Sequence, residues 1–189
     1  MIRDLVMKNR SYRRFFQDIP ISRETLTQLV DLARYSPSAR NAQPLRFILS
    51  CDPDKNALIF KHLGWAGYLK NWGGPVDGER PAGYILILGD TGISPNFGCD
   101  HGIAAQSMLL GATELGLGGC IIGTIQRPAL QEVLAIPPQY EILLAIALGK
   151  PKETVVMEPV GSSGDIKYWR DEAQTHHVPK RALEDLIIG

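Results

Sequence analysis

Apolar residues recur along this chain at two spacings, helical and continuous, and each predicts a different element. Near the start, Ile2, Leu5 and Val6 form a short helical stripe that gives out near Asn9. Leu26, Leu29, Val30 and Ala33 repeat at helical intervals and predict a second helix. Ser22 is a good N-cap for it, Glu24 favours its positive end, and Pro37 interrupts it. Arg46 to Ser50 reads as a strand, and Asp52-Pro53 supplies a cap and a first-turn proline for a helix through about His62. Tyr84 to Leu88 is an apolar run without alternation, the pattern of a strand buried on both faces. Cys120 to Ile122 and Ile142 to Leu148 predict further strands, with a helix from about Pro128 to Ala135 between them.

The stretch from Cys99 to Leu115 reads as a helix and carries no charge between Asp100 and Glu114. Such a helix is apolar on nearly every face and should be buried on nearly every side. A chain of this size has trouble burying one helix completely alone, so a partner copy is the economical cover. Gly116, Gly118 and Gly119 end the helix. Gly64 to Pro81 is a long glycine-rich loop with its own aromatics, Trp65, Tyr68 and Trp72, and loops of that length are usually functional. The last 40 or so residues read as polar and irregular, closing on Leu183, Leu186, Ile187 and Ile188. Strands and helices alternate, and pattern rules alone favour a doubly wound parallel sheet.

Composition narrows the possibilities. At 189 residues, the expectation is one domain spanning 1–189 with a real core. Lys+Arg and Asp+Glu balance at 20 each, so no overall basic field invites nucleic acid or an anionic membrane. Any anion site must be a local cluster. Cys51, Cys99 and Cys120 are odd in number and widely spaced, which argues for reduced thiols and a cytoplasmic setting. No signal peptide is expected, and the longest uncharged candidate, Gly102 to Thr113, falls short of the roughly 20 apolar residues a membrane helix needs.

Three clusters could carry chemistry. Arg10-Ser11-Tyr12-Arg13-Arg14-Phe15 places guanidinium groups and a hydroxyl just past a helix, where their forks would match phosphate oxygens; a solvated basic turn is the competing reading. Lys180-Arg181 is a second basic pair near the other end. Ser36 to Pro44 joins a helix to a strand with small residues and amides that could bond a heteroaromatic edge, or simply form a rigid loop. Gly118 to Ile125 sets glycines after a helix and before a strand, the reverse of a dinucleotide fingerprint, and leaves Gly123-Thr124-Ile125 to offer backbone N–H groups. Cys99-Asp100-His101 and His176-His177 lack a second ligand cluster, so no metal site is expected, and the histidine pair reads as surface.

Together these clusters resemble the nitroreductase family. The family opens with a basic R-S-x-R-x-F run, here Arg10 to Phe15, and follows it about 25 residues later with P-S-x-x-N-x-Q-P, here Pro37 to Pro44. The glycine-rich approach to Cys120, the stretch Leu148-Gly149-Lys150-Pro151 and the terminal Pro179-Lys180-Arg181 also match. The chain departs at Asn9, where many members carry another arginine, and in Val160 to His177.

The resemblance implies an α+β fold with a mixed, largely antiparallel sheet flanked by helices, in place of the parallel sheet. It implies FMN held at the interface of a homodimer. Arg10, Ser11, Arg13, Lys180 and Arg181 would hold the phosphate. Pro37, Ser38 and Asn41 would touch flavin bound mainly by the partner subunit, with Gln43 nearby. Ile122, Gly123 and Thr124 would lie along the ring edge. NADH or NADPH would deliver hydride to N5, and a nitroaromatic or quinone would then take its place, with no side chain needed as acid or nucleophile. Two other readings are a relative of the fold that uses flavin for dehalogenation or fragments it, and a flavin carrier without turnover. The Trp65, Tyr68 and Trp72 loop is expected either to wall the substrate by stacking or to pack internally.

Overall fold

Helix and strand signals are realised almost element for element in the computed structural model, which describes residues 1–189. In chain order the elements are α1 (Ile2–Lys8), β1 (Phe15–Phe16), α2 (Arg23–Arg34), β2 (Leu45–Ser50), α3 (Pro53–Lys61), β3 (Gly83–Asp90), α4 (Asp100–Glu114), β4 (Gly118–Ile122), α5 (Arg127–Val133), β5 (Tyr140–Pro151), β6 (Val155–Pro159), β7 (Trp169–Arg170) and β8 (His176–Lys180). The Ser22 hydroxyl accepts from the Thr25 N–H at 3.0 Å, and the Asp52 carboxylate accepts from the Lys55 N–H at 2.8 Å, so α2 and α3 start where their caps predict.

The main sheet is antiparallel at every pairing. β5 is its axis, with β3 along one edge and both β4 and β1 along the other, while β2 pairs with the far edge of β3. This is an α+β arrangement, and the doubly wound parallel sheet suggested by alternation is not formed. Helices cover both faces of the sheet. Ile85 and Ile87 of β3 pack toward α2 and α4, whereas Tyr84, Leu86 and Leu88 pack toward the side of α3 and α5. Two-sided burial therefore explains the unbroken apolar run, and parallel pairing is not required for it. Each fully buried Leu or Ile here stabilises the fold by roughly 1.5–3 kcal/mol.

Helix α4 packs closely on α2: a Cβ at Gly111 would meet the Leu32 and Leu29 side chains at 2.2 and 3.3 Å. Its opposite face, with Gly102, Ile103 and Gln106, is exposed in the single chain. The C-terminal stretch is not irregular. β6 runs parallel to β8 and β7 antiparallel to it, making a small separate sheet. Its strands are only 5, 2 and 5 residues long, and Pro179 lies within β8, so neither periodicity nor propensity marks them.

Candidate functional site

The basic run after α1 is stitched to the start of β4. Ser11 bridges Gly119, and the Tyr12 N–H donates to the Gly119 carbonyl at 3.0 Å. Glycine is required there by crowding, since a Cβ on Gly119 would stand 2.7 Å from the Ala147 carbonyl oxygen and 2.6 Å from Leu109. From the other end of the sequence, β8 brings His176 and Lys180 alongside. A recess of about 340 Å³ results, lined among others by Arg10, Ser11, Arg13, His176 and Lys180.

Charge pairing in this region is selective. Arg14 grips Glu79 with two hydrogen bonds of 2.6 and 2.7 Å, and Lys152 reaches the same carboxylate at 3.1 Å. Those partners, Arg14 foremost, hold the Glu79 pKa down to about 2. Arg170 takes Glu153 at 2.9 Å. Arg10, Arg13, Lys180 and Arg181 have no carboxylate partner at all. A neutral protein has thus gathered unpaired cations at one recess, the arrangement that suits an anion. Arg181 stands outside the lining and is exposed.

Arg13, Ile121 and Tyr168 also line a second recess of about 160 Å³, so the two openings adjoin. This one is walled by Gly64 to Gly67 on one side and by Cys120 to Thr124 on the other. The Gly64 N–H donates to the Thr124 carbonyl at 2.8 Å, tying the long loop to the end of β4. The N–H groups of Gly123 and Thr124 enter no backbone hydrogen bond. An elongated ligand with an anionic end and a flat polar edge fits this pair of recesses, because cations lie at one end and free N–H donors at the other.

The segment Pro37 to Gln43 lies elsewhere. Its anchor is Asp100, buried at the head of α4, which accepts from the Ser38 hydroxyl at 2.6 Å and the Ala39 N–H at 3.0 Å. That contact places a carboxylate at the positive helix end, where it is favourable. Arg40, Asn41 and Gln43 hold φ of 54, 55 and 51°, left-handed conformations that non-glycine side chains rarely adopt. Pro37, Ser38 and Gln43 line a third recess of about 300 Å³, with none of the basic lining residues Arg10, Arg13 or Lys180. A single chain therefore brings Arg10, Ser11, Arg13 and Lys180 together and sets Ile122, Gly123 and Thr124 next to them, but keeps Pro37, Ser38, Asn41 and Gln43 apart.

His176 is the principal departure from expectation. It is 1% exposed, not a surface residue. Its Nε2 lies 3.3 Å from the Arg13 guanidinium, and burial, then the positive charges of Arg13 and Arg170, push its pKa down to about 4. Tyr168, in the segment that departs from the family pattern, packs on Arg13, Tyr68 and His176 with centroid separations of 4.8, 4.9 and 5.1 Å. No spacing rule marks either residue. Trp65 packs on Phe60 at 5.6 Å, and Trp72 carries the Arg170 guanidinium on its face at 4.2 Å, so both aromatics have internal partners.

Comparison with known proteins bears on this geometry. The sequence model of the nitroreductase family matches residues 6–68 and 80–150. The chain is 24% identical over 173 residues to an NADPH-flavin oxidoreductase of Vibrio harveyi, covering 82% of this chain and 68% of that protein. Among solved structures, an FMN-dependent nitroreductase from Clostridium difficile R20291 shares 26% identity with a TM-score of 0.63, over 80% of this chain and 88% of that one. A nitroreductase family protein from Streptococcus pneumoniae superposes with a TM-score of 0.67 at 20% identity, over 84% of this chain and 94% of its own.

Proposed function

Because the chain belongs to the nitroreductase family, we propose that it is an FMN-dependent NAD(P)H oxidoreductase acting as a homodimer. The observation that carries the reading is the recess where Arg10, Arg13 and Lys180 converge without carboxylate partners. A flavin phosphate carries about −1.5 to −2 charges and calls for such an uncompensated cluster. When bound, FMN supplies the redox chemistry, two-electron transfer from NAD(P)H to an acceptor such as a nitroaromatic or quinone in alternate half-reactions.

The chain's own residues bind and orient. Arg10, Ser11 and Lys180 would hold the phosphate, with Arg13 at the junction of the two recesses and Arg181 reaching in from the flank. The unengaged N–H groups of Gly123 and Thr124 would meet the polar ring edge. Pro37, Ser38, Asn41 and Gln43 would serve the site of the partner copy, which accounts for their separation from the cations within one chain. The exposed face of α4, with Ile103 and Gln106, is the natural surface for that partner.

Titrating FMN with the purified protein while following flavin fluorescence tests the cofactor, and anaerobic mixing of the complex with NADH and NADPH tests the reaction. Saturable quenching followed by bleaching of the yellow colour is expected, with recovery on adding a nitro compound or quinone. A complex that forms but keeps its colour would identify a carrier, and failure to take up FMN would overturn the flavin reading.

A further inference from the structure

We infer that His176 and Tyr168 are positioning residues for Arg13, holding its guanidinium in the passage shared by the two recesses with its charge uncancelled. The inference rests on the flavin reading of those recesses. Beside Arg13 lies Glu153, whose carboxylate is fully buried. An arginine next to a buried carboxylate ordinarily folds onto it. Here the carboxylate is already saturated. One oxygen accepts from the backbone N–H groups of Arg13 and Arg14, and the other takes the Arg170 guanidinium at 2.9 Å. Arg170 is itself pinned by the Trp72 ring at 4.2 Å.

The Arg13 side chain consequently finds only neutral partners: the Ser11 carbonyl at 3.2 Å, His176 Nε2 at 3.3 Å and the Tyr168 ring at 4.8 Å. Arginine has donors only, so Nε2 must accept and the imidazole proton must sit on Nδ1. That Nδ1 is buried without a partner, which is unfavourable in itself and is tolerated where an acceptor is placed for another purpose. The low pKa of His176 keeps the ring neutral at ordinary pH, as an acceptor requires. Neutral partners orient the guanidinium without neutralising it. The four residues that achieve this, Glu153, Tyr168, Arg170 and His176, all fall outside the stretches 6–68 and 80–150 that match the family. The orienting device is therefore built from the segment that follows β5.

The test is a double-mutant cycle on FMN affinity measured by fluorescence quenching. His176→Phe, which keeps an aromatic ring and removes the acceptor, is expected to weaken FMN binding about tenfold. His176→Gln, which retains an acceptor, should restore most of it. In an Arg13→Gln background His176→Phe should change the affinity no further, because its effect passes through the guanidinium. If His176→Phe does not fold, Tyr168→Leu enters the same cycle. Unchanged affinity in the single variant, or full additivity with Arg13→Gln, overturns the inference. A wild-type protein that takes up no FMN fails the flavin reading instead.

Discussion

Glu79 shows how much a single side chain can organise. It is the shared counter-ion of Arg14 and Lys152, and their hydrogen bonds hold its pKa at about 2. A carboxylate whose pKa falls on folding adds stability above its unfolded value, near 4.5, and loses it as pH drops through about 2. Glu79→Gln is expected to lower stability at neutral pH by about 1–2 kcal/mol, after screening near the surface, and to flatten the acid limb of urea midpoints against pH. His176 gives a second, higher window with the same sign. Its pKa is lowered on folding from 6.5 to about 4, so the unfolded chain takes the proton first and stability falls as pH descends through that interval. His177 is opposite. Burial alone would lower its pKa, but hydrogen bonds to Asp171 and Glu158 outweigh this and raise it. Histidine C–H signals in proton NMR should therefore show one ring titrating near about 4 and another raised above its ordinary range; a spectrum in which no histidine titrates that low would contradict the burial of His176. At this scale the sequence marked Arg10, Ser11, Arg13 and Lys180 as candidates because local basic clusters stand out against a neutral background, and the fold brings them to one recess. Tyr168 and His176 stayed hidden, since their role comes from burial and from neighbours well over a hundred residues away.

Among the elements, β4 is the most constrained, because the basic run lies against its first two residues. Gly119→Ala would drive a methyl into the Ala147 carbonyl, a backbone atom that cannot swing aside, at 2.7 Å. Gly111→Ala meets chiefly the end of the Leu32 side chain, which can rotate away. The first substitution should cost about 1–3 kcal/mol in chemical denaturation and the second less. Reversal of that order would mean that the register of β4 against β5 is not as described. Helices with caps and strands with long apolar runs were readable because each carries its own signal, as Ser22, Asp52 and Tyr84 to Leu88 do. The parallel-sheet expectation failed because alternation of element types says nothing about strand direction. The C-terminal sheet escaped notice because two-residue and proline-bearing strands exist only through their neighbours.

For the whole molecule, the exposed residues tell most. Ile103 on α4 and the tail residues Leu183, Leu186, Ile187 and Ile188 remain 39, 65, 64, 62 and 100% exposed in the single chain. These side chains are candidates for cover by the partner copy of the proposed dimer. In the proposed homodimer, Ile103→Asp is expected to shift sedimentation from dimer to monomer and to weaken FMN uptake in parallel, since Pro37, Ser38 and Asn41 would no longer reach the partner's recess. A monomer that retains full affinity for FMN would separate the two properties and remove the shared site. The convergence of Arg10 with Lys180 has a consequence for biosynthesis. The first of these residues leaves the ribosome well before the second, which β8 carries. In the proposed holoenzyme the basic pocket cannot close before β8 has been made, so nascent chains stalled before residue 176 should emerge colourless.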